Sequence, residues 1–347
     1  MRFTSAFWTL PFILTATFAA PAHRSLGAVS LKTVGLFPNG TWLENAAARS
    51  NGQLLVTLLS SPQVYQVDPF SFQQPQLVQT IPGAEGLLGI GEVEKDVFAV
   101  VAGNLSLATV VSTVGSYSIW KVDVRDSQNP TSYKVVDIPA AQFLNGLAVL
   151  DTKGNILVSD SGAGVVYRVN TYTGSYQIVL EDPSMKPAPG GVQLGINGIQ
   201  IQNGFLYYTS STQGLFARVA IHPNGTAAGP IEVVASLGGF GDDFALDRAS
   251  DAYIGTNPDD TLIKVTPAGK VTLVAGSINS TALAGATSTH FGRTAADKSI
   301  LYVTTSGRFT NAAGEQIFIP GEVIAVHGLQ YWSVLEVLLR LWVLIKL

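Results

Sequence analysis

The chain has 347 residues, a formal net charge of −4 and no cysteine. The missing sulfur excludes iron–sulfur centres, thiolate zinc sites, disulfide scaffolds and cysteine nucleophiles. Charged residues make up only 13% of the chain, about half of the ~25% usual in soluble domains, and apolar residues make up 47%. This composition disfavours disorder, and no nucleic-acid partner is expected.

The first 22 residues have the pattern of a secretory signal peptide. Arg2 precedes an apolar run from Ala6 to Phe18, and small residues follow at 19–22. The run is short for a membrane span. Residues 1–22 are therefore predicted to be removed from a secreted protein. Four glycosylation motifs agree with secretion, at Asn39, Asn104, Asn224 and Asn279.

The central part of the chain repeats itself about every fifty residues. Each repeat contains two short β-rich runs, separated by turn residues such as Asn51-Gly52 and Asn203-Gly204. The second run of each repeat ends at Val67, Val122, Val169, Val219, Val265 or Val326. Four short strands per repeat are typical of a propeller blade. The pattern predicts an all-β fold, a six-bladed β-propeller over residues 29–327, as one domain.

The two ends of this repeat array predict how the ring closes. The last blade lacks an outermost strand after Val326, whereas the run Val29–Val34 precedes the first inner strand. Pairing of Val29–Val34 with Val323–Val326 would hide both exposed edges. The N-terminal strand is therefore expected to close the last blade.

The C-terminal tail, residues 328–347, is almost wholly apolar and is predicted to lie outside the propeller. Its charged residues are Glu336, Arg340 and Lys346. A membrane-surface helix and a single membrane span are two interpretations, although a central Glu and Arg would each cost ~2.5–3.5 kcal/mol at mid-bilayer. A misread final exon is the third. Membrane contact through the tail stays open from the sequence.

Polar residues open the inner strands of the predicted blades, which meet around the propeller axis. Asn-Gly usually marks a hairpin turn, so a turn or capping role is the alternative for Asn145 and Asn197, each of which is followed by glycine. In the sixth blade the opening is taken as Thr289-His290-Phe291-Gly292. Two carboxylates and two amide oxygens suit a hard divalent cation, with Ca²⁺ preferred to Mg²⁺ or Mn²⁺. The four oxygen-bearing residues are Glu44, Asn145, Asn197 and Asp242.

These openings resemble those of the SMP-30/gluconolactonase/LRE-like six-bladed propellers. The resemblance is carried by Leu43-Glu44-Asn45, Asn145-Gly146-Leu147-Ala148, Asn197-Gly198-Ile199 and Asp242-Asp243-Phe244-Ala245-Leu246-Asp247. It implies one divalent metal, and no organic cofactor, at Glu44, Asn145, Asn197 and Asp242, with Asp242 also as the base in lactone hydrolysis. Two positions depart from the family pattern, because Glu44 is followed by Asn45 instead of Gly-Pro, and Asp242 by Asp243 instead of Gly.

A narrower resemblance is carried by residues 38–57 and 242–247. These segments are similar to those of a secreted fungal branch that includes hetero-Diels–Alderase-like proteins, which join a tropolone-derived quinone methide to a terpene olefin. The resemblance implies an apolar channel that orients two small apolar organic reactants beside a proton donor. Trp42, Phe244 and Phe291 are the candidate walls, with core packing as the alternative for each. Asp243 or His290 is the candidate donor.

Three functions therefore remain open from the sequence. The first, favoured because large rings flank the polar cluster, is a cyclase of secondary metabolism. The second is a metal-dependent hydrolase of lactones or similar esters, in which Asp242 activates water. The third is a non-catalytic ligand-binding propeller. The chain has no Gly-x-Ser-x-Gly elbow, no His-Glu-x-x-His and no phosphate loop.

Overall fold

The computed structural model describes residues 29–311 and 313–329. These residues form six antiparallel sheets of four strands and two additional two-stranded hairpins. The only helical elements in these ranges are two short 3₁₀ turns, Pro183–Met185 and Thr281–Leu283. The predicted all-β, six-bladed propeller is confirmed.

Each blade runs outwards from an inner strand beside the axis. Blades one to three comprise β2 (Leu43–Ala48), β3 (Leu54–Leu58), β4 (Gln63–Val67) and β5 (Gln76–Thr80); β6 (Gly86–Glu94), β7 (Val97–Gly103), β10 (Ser118–Asp123) and β11 (Thr131–Asp137); and β12 (Leu144–Val149), β13 (Asn155–Asp160), β14 (Val165–Asn170) and β15 (Tyr176–Glu181). Blades four and five comprise β16 (Ile196–Gln202), β17 (Phe205–Ser210), β18 (Leu215–Ile221) and β19 (Ala227–Ser236); and β20 (Gly241–Leu246), β21 (Ala252–Thr256), β22 (Thr261–Val265) and β23 (Val271–Gly276). Blade six comprises β24 (Ala286–Phe291), β25 (Leu301–Thr305), β28 (Pro320–His327) and β1 (Ser30–Asn39).

The N-terminal strand closes the ring as predicted. Strand β1 pairs with β28 in antiparallel register, with Leu31 opposite Val326 and Thr33 opposite Ile324. The first and last strands therefore share one sheet, and pairing with β1 covers the edge of β28 that would otherwise be exposed. The predicted signal peptide and the tail from residue 330 lie outside the described residues. No helix within the described ranges is both long and apolar enough to cross a membrane.

The core lies between neighbouring blades. All side chains of β3 and β7 are buried, whereas the outermost strands β5 and β11 have no fully buried side chain. These second strands are covered on both faces by adjacent blades, which explains why β3 and β7 read as almost continuous apolar runs. The Asn203-Gly204 pair closes β16 onto β17 with φ values of 52° and 78°, as the predicted hairpin turn requires.

Two further hairpins interrupt the blade pattern. One, β8 (Leu105–Ser106) with β9 (Val111–Ser112), is inserted between the second and third strands of blade two. The other, β26 (Arg308–Thr310) with β27 (Gln316–Phe318), is inserted at the same place in blade six. Both insertions contribute residues to the cavity described below.

Candidate active site

Each inner strand has a register shift close to its first residue, where it pairs with the second strand. In β12, for example, Leu144 lies opposite Asp160 and Leu147 lies opposite Val158, so β12 has one extra residue. Such a bulge re-aims a side chain. By this register the residues at the bulge are, in blade order, Glu44, Leu88, Asn145, Asn197, Asp242 and Thr287.

Asn145 and Asn197 lie within strands, so the turn alternative is wrong for both. The glycine after each is required by close approach of the next inner strand. A Cβ atom on Gly146 would lie 2.6 Å from the carbonyl oxygen of Asn197, and one on Gly198 would lie 2.4 Å from Oδ1 of Asp243. Packing of the inner strands around the axis therefore accounts for the two Asn-Gly pairs.

Hydroxyl groups on the second strands hold the bulges in place. Each hydroxyl donates to the backbone carbonyl of the bulge residue in the following blade, at 2.6–2.7 Å. Each of these three blades thus fixes the backbone at the bulge of the blade that follows it, and with it the position of the bulge side chain. The three contacts are Thr57 to Leu88, Ser159 to Asn197 and Thr209 to Asp242.

The four predicted oxygen ligands line a single cavity of about 290 Å³. Glu44, Asn145 and Asn197 are buried, and Asp242 is half-buried. Most of the other lining residues are apolar, and the two inserted hairpins supply several of them. The apolar lining includes Leu59, Leu107, Val110, Phe143, Leu194 and Phe240. The cavity therefore combines a cluster of oxygen side chains with apolar walls.

Hydrogen bonds orient the two carboxyl groups. The Trp42 indole nitrogen Nε1 donates to Glu44 Oε2 at 2.7 Å. Asn197 Nδ2 donates to Asp242 Oδ1 at 2.9 Å and to the Ser211 hydroxyl oxygen at 3.0 Å. Trp42 is the one predicted aromatic wall residue that lines the cavity.

Burial makes both carboxyl groups weaker acids than an ordinary carboxyl group. It raises the pKa of Glu44 to about 8, with the Trp42 hydrogen bond lowering it and Asp243 raising it further. The pKa of Asp242 is raised well above its ordinary value by burial and then by the neighbouring Glu44 and Asp243. Without a cation, Glu44 is therefore mostly protonated at neutral pH.

The cluster fits a hard divalent cation. Asn197 Oδ1 is buried and has no hydrogen-bond partner, so an acceptor oxygen is left for an external donor or cation. The described residues contain no group of three or more His, Cys, Asp or Glu side chains arranged for a metal, so such a site would depend on the two amides. Glu44, Asn145, Asn197 and Asp242 would then be the ligands, and metal binding itself stays a prediction.

Asp243 lies beside the cavity cluster but does not line the cavity. Its Oδ2 accepts from Asn45 Nδ2 at 2.5 Å, and its Oδ1 accepts from the backbone N–H of Phe244 at 2.8 Å. Ser288 donates to Asn45 Oδ1 at 3.1 Å. The two positions that depart from the family pattern, Asn45 and Asp243, are thus buried partners of each other. Both carboxylate oxygens are engaged, so the contacts favour a structural role over the predicted proton donor.

The predicted opening of blade six is wrong by three residues. The residue equivalent to Glu44 is Thr287, and His290 lies further along β24, close to the opposite end of that strand. His290 does not line the cavity, and its Nδ1 is 2.7 Å from the carbonyl oxygen of Phe291. Burial lowers its pKa.

Two of the predicted wall residues belong to the core instead. Phe244 is fully buried and makes an edge-to-face contact with Phe216, at a centroid distance of 5.1 Å. Phe291 packs edge-to-face on Tyr253 at 5.6 Å. The apolar lining comes from other residues, mainly of loops and inserted hairpins, which a repeat pattern does not reveal.

The predicted glycosylation sites differ in accessibility. Asn39, Asn224 and Asn279 are exposed. Asn104 is half-buried, and its Oδ1 accepts from the backbone N–H of Glu85 at 3.1 Å. Glycosylation stays a prediction, and Asn39, Asn224 and Asn279 are the accessible sites.

The fold and the cavity define a six-bladed propeller with a mostly apolar pocket beside a cluster of oxygen side chains. Solved structures with this fold include a luciferin-regenerating enzyme, 14% identical with a TM-score of 0.63 over 87% of this chain and 96% of that chain. A gluconolactonase from Xanthomonas campestris is 14% identical with a TM-score of 0.56, over 87% of this chain and 90% of that chain. No family model matches the sequence.

Two fungal relatives are more similar in sequence. A Phoma sp protein named "Putative hetero-Diels-Alderase" is 29% identical over 319 residues, covering 84% of this chain and 90% of the relative. A Sarocladium schorii protein named "Putative hetero-Diels-Alderase asR5" is 30% identical over 313 residues, covering 79% of this chain and 77% of the relative. The chain belongs to this hetero-Diels–Alderase-like group, as the narrower resemblance predicted. It shares the six-bladed fold of the luciferin-regenerating enzyme and of the gluconolactonase.

Proposed function

We propose that the protein is a cyclase that joins a quinone-methide-type heterodiene to an olefin. The observation that carries this proposal is the cavity of about 290 Å³, in which apolar side chains surround a buried acid cluster. A cycloaddition needs two apolar reactants held in contact more than it needs a covalent group of the protein. The names of the two fungal relatives support the same reaction class.

The reaction divides into two steps. A hydroxymethyl precursor first loses water: the hydroxymethyl oxygen takes up a proton and leaves, and the ring hydroxyl gives up its proton, which forms the heterodiene. The olefin then adds across the heterodiene, forming one C–C bond and one C–O bond without loss of any atom. The protein supplies a proton to the leaving oxygen in the first step and holds the partners in the second.

Glu44 is the residue best suited to give that proton. It lines the cavity, and its raised pKa keeps a proton available at neutral pH. Trp42 fixes its orientation through the 2.7 Å hydrogen bond. Asp242, on the same cavity, is suited to accept the ring hydroxyl proton when it is ionised. These assignments replace Asp243 and His290 as candidate donors.

A divalent cation bound at Glu44, Asn145, Asn197 and Asp242 would supply Lewis-acid stabilisation of a substrate oxygen. In that state Glu44 would be an ionised ligand, so its role as proton donor belongs to the metal-free site. The chain's own residues would orient the reactants, with Trp42 still holding Glu44. We include Ca²⁺ as the proposed ion because all four side chains offer oxygen. Secretion remains part of the proposal, since residues 1–22 read as a signal peptide.

A metal-dependent lactonase is the second candidate. The oxygen cluster and the gluconolactonase-like fold favour it, with Asp242 as the base that activates water. The apolar lining favours the cyclase, because a hydroxylated sugar lactone would leave its hydroxyl groups facing carbon.

One experiment separates the two candidates. The protein is incubated with a tropolone-type hydroxymethyl precursor and a terpene olefin, and in parallel with simple lactones, each with and without a chelator. For the cyclase we expect faster formation of the adduct and a single stereoisomer. Chelator-sensitive lactone opening, with no effect on the rate or stereochemistry of the addition, would favour the hydrolase.

A further inference from the structure

The inserted hairpin of blade six brings one basic residue to the cavity. Arg308 is the first residue of β26, and it lines the cavity together with Trp42 and Leu107. Its guanidinium carbon lies 5.9 Å from the centre of the Trp42 ring. Its Nη1 donates to the carbonyl oxygen of Leu107, on the other inserted hairpin, at 3.5 Å.

Arg308 makes no ion pair within the described ranges, 29–311 and 313–329. It is half-buried, and burial lowers its pKa, which reflects the cost of holding the charge there. Its contacts are an aromatic face and one long hydrogen bond, which leave most of its five N–H donors free for a ligand. An unpaired guanidinium in a largely apolar cavity is a site for an anionic oxygen.

We propose that Arg308 binds the acidic hydroxy-ketone edge of the substrate, the pair of adjacent oxygens of a tropolonate-like ring. This inference rests on the proposed cyclase function, which it deepens by naming the residue that selects the heterodiene precursor. The planar guanidinium can donate two parallel hydrogen bonds, and two adjacent oxygens that share one negative charge can accept both. A neutral terpene offers no such group and is left to the apolar walls.

Trp42 connects this site to the acid cluster. Its ring lies beneath the guanidinium, and its Nε1 donates to Glu44 at 2.7 Å. A ring bound at Arg308 would therefore lie near the carboxyl group that we assign as proton donor. The guanidinium would also withdraw electron density from the oxygen end of the heterodiene, which favours addition of an electron-rich olefin.

The test uses tropolone and its O-methyl ether as probes, with binding measured by titration calorimetry and by the absorbance of the tropolonate anion. The wild-type protein is expected to bind tropolone at least tenfold more tightly than the ether, and more tightly as rising pH ionises the tropolone. This arm requires no variant. Equal binding of the two probes, or no binding of tropolone, would overturn the proposal.

The variants are Arg308→Gln, Arg308→Lys and the control Arg248→Gln. The control removes an exposed arginine that follows the last residue of β20, at the end of the strand away from the cavity. We expect Arg308→Gln to weaken tropolone binding at least tenfold, Arg308→Lys to weaken it less, and Arg248→Gln to leave it unchanged, with unfolding curves confirming that each is folded. Wild-type affinity in Arg308→Gln would overturn the assignment.

The cycloaddition assay keeps this inference separate from the proposed function. If tropolone binding depends on Arg308 but the protein does not affect the cycloaddition, the anion site stands and the cyclase fails. If the protein accelerates the cycloaddition and Arg308→Gln retains both binding and rate, the cyclase stands and the role of Arg308 fails.

Discussion

The two ends of the inner strands differ in how their charges are neutralised. At the end where these strands finish, charged groups pair with each other: Arg49 contacts Asp96 at 2.9 Å, and Arg293 contacts Glu92. At the cavity end, Glu44 and Asp242 have raised pKa values, and Arg308 makes no ion pair within the described part of the chain.

This difference separates a structural surface from a site. Pairs such as Arg49 with Asp96 satisfy each other and require nothing from outside the protein. Buried acids with raised pKa values, an unpaired amide oxygen and a lone guanidinium in one cavity each lower their free energy when a ligand or ion arrives. The following predictions test whether function is confined to the cavity end.

The largest effect is expected from Glu44→Gln. The amide keeps the shape and can still accept from Trp42, but it lacks the carboxyl proton, so the dehydration step should slow by roughly 10²–10⁴-fold. The measurement is the rate of adduct formation from the hydroxymethyl precursor. Asp137→Asn, an exposed acid-to-amide change on β11, is the matched control and should retain the wild-type rate. A rate within threefold of wild type in Glu44→Gln would remove its assignment as donor.

The next prediction concerns the buried Asn45–Asp243 pair beside the cavity. Asn45→Ala or Asp243→Ala leaves one buried polar partner unsatisfied, so each should lower the free energy of unfolding by about 1–3 kcal/mol. The double variant should cost less than the sum of the two, because neither partner is left alone. Urea unfolding measures all three, with Asp137→Ala as the exposed control. Strict additivity would mean that the two side chains do not stabilise each other.

The sequence allowed much of the fold to be predicted, because each blade repeats its strands at similar spacing. The bulge positions Asn145 and Asn197 could also be predicted, since an amide residue that opens an apolar strand marks each one, as a carboxyl residue does at Glu44 and Asp242. His290 was misassigned because β24 carries Thr287 and Ser288 at the equivalent positions and no such marker. Asn45 and Asp243 appeared only as departures from the family pattern, since residues 198 positions apart give no local sign that they pair.

Apart from Trp42, the cavity walls were not predicted, because they come from loops and from insertions outside the repeat. Arg308 and Leu107 lie on hairpins that have no counterpart in the other blades. One signal was present: the two longest intervals between repeat valines, Val67 to Val122 and Val265 to Val326, span the blades that carry these hairpins. Long intervals in a repeat protein therefore indicate where its binding site is built.

The third prediction concerns metal removal and pH. In metal-free protein the pKa of Glu44 is about 8 when folded, against 4.5 for the ordinary group, so the folded state binds more protons than the unfolded state over this range. Stability should therefore fall as pH rises from about 5 to 8, by roughly 3–4 kcal/mol from this group.

Calcium should reverse that loss by neutralising the carboxylates, raising the melting temperature more at pH 8 than at pH 5. Differential scanning calorimetry with EDTA or Ca²⁺ measures both effects, and Asp242→Ala should abolish the response to calcium. Melting temperatures that respond neither to pH nor to calcium, together with negligible metal in the purified protein, would leave the four oxygen side chains without a cation.

The smallest effect is expected at the far end of blade six, with His290→Gln. Strand register places His290 three residues beyond Thr287, and it does not line the cavity. Its Nδ1 lies 2.7 Å from the carbonyl oxygen of Phe291, and its lowered pKa keeps the ring neutral at pH 7. Adduct formation should therefore stay within twofold of wild type and the free energy of unfolding within about 1 kcal/mol, because glutamine can still donate a local hydrogen bond.

Glu44→Gln, assayed in the same series, provides the contrasting loss. A hundredfold loss in His290→Gln with unchanged stability would return the proton donor to His290 and place chemistry at the end where the charges are already paired.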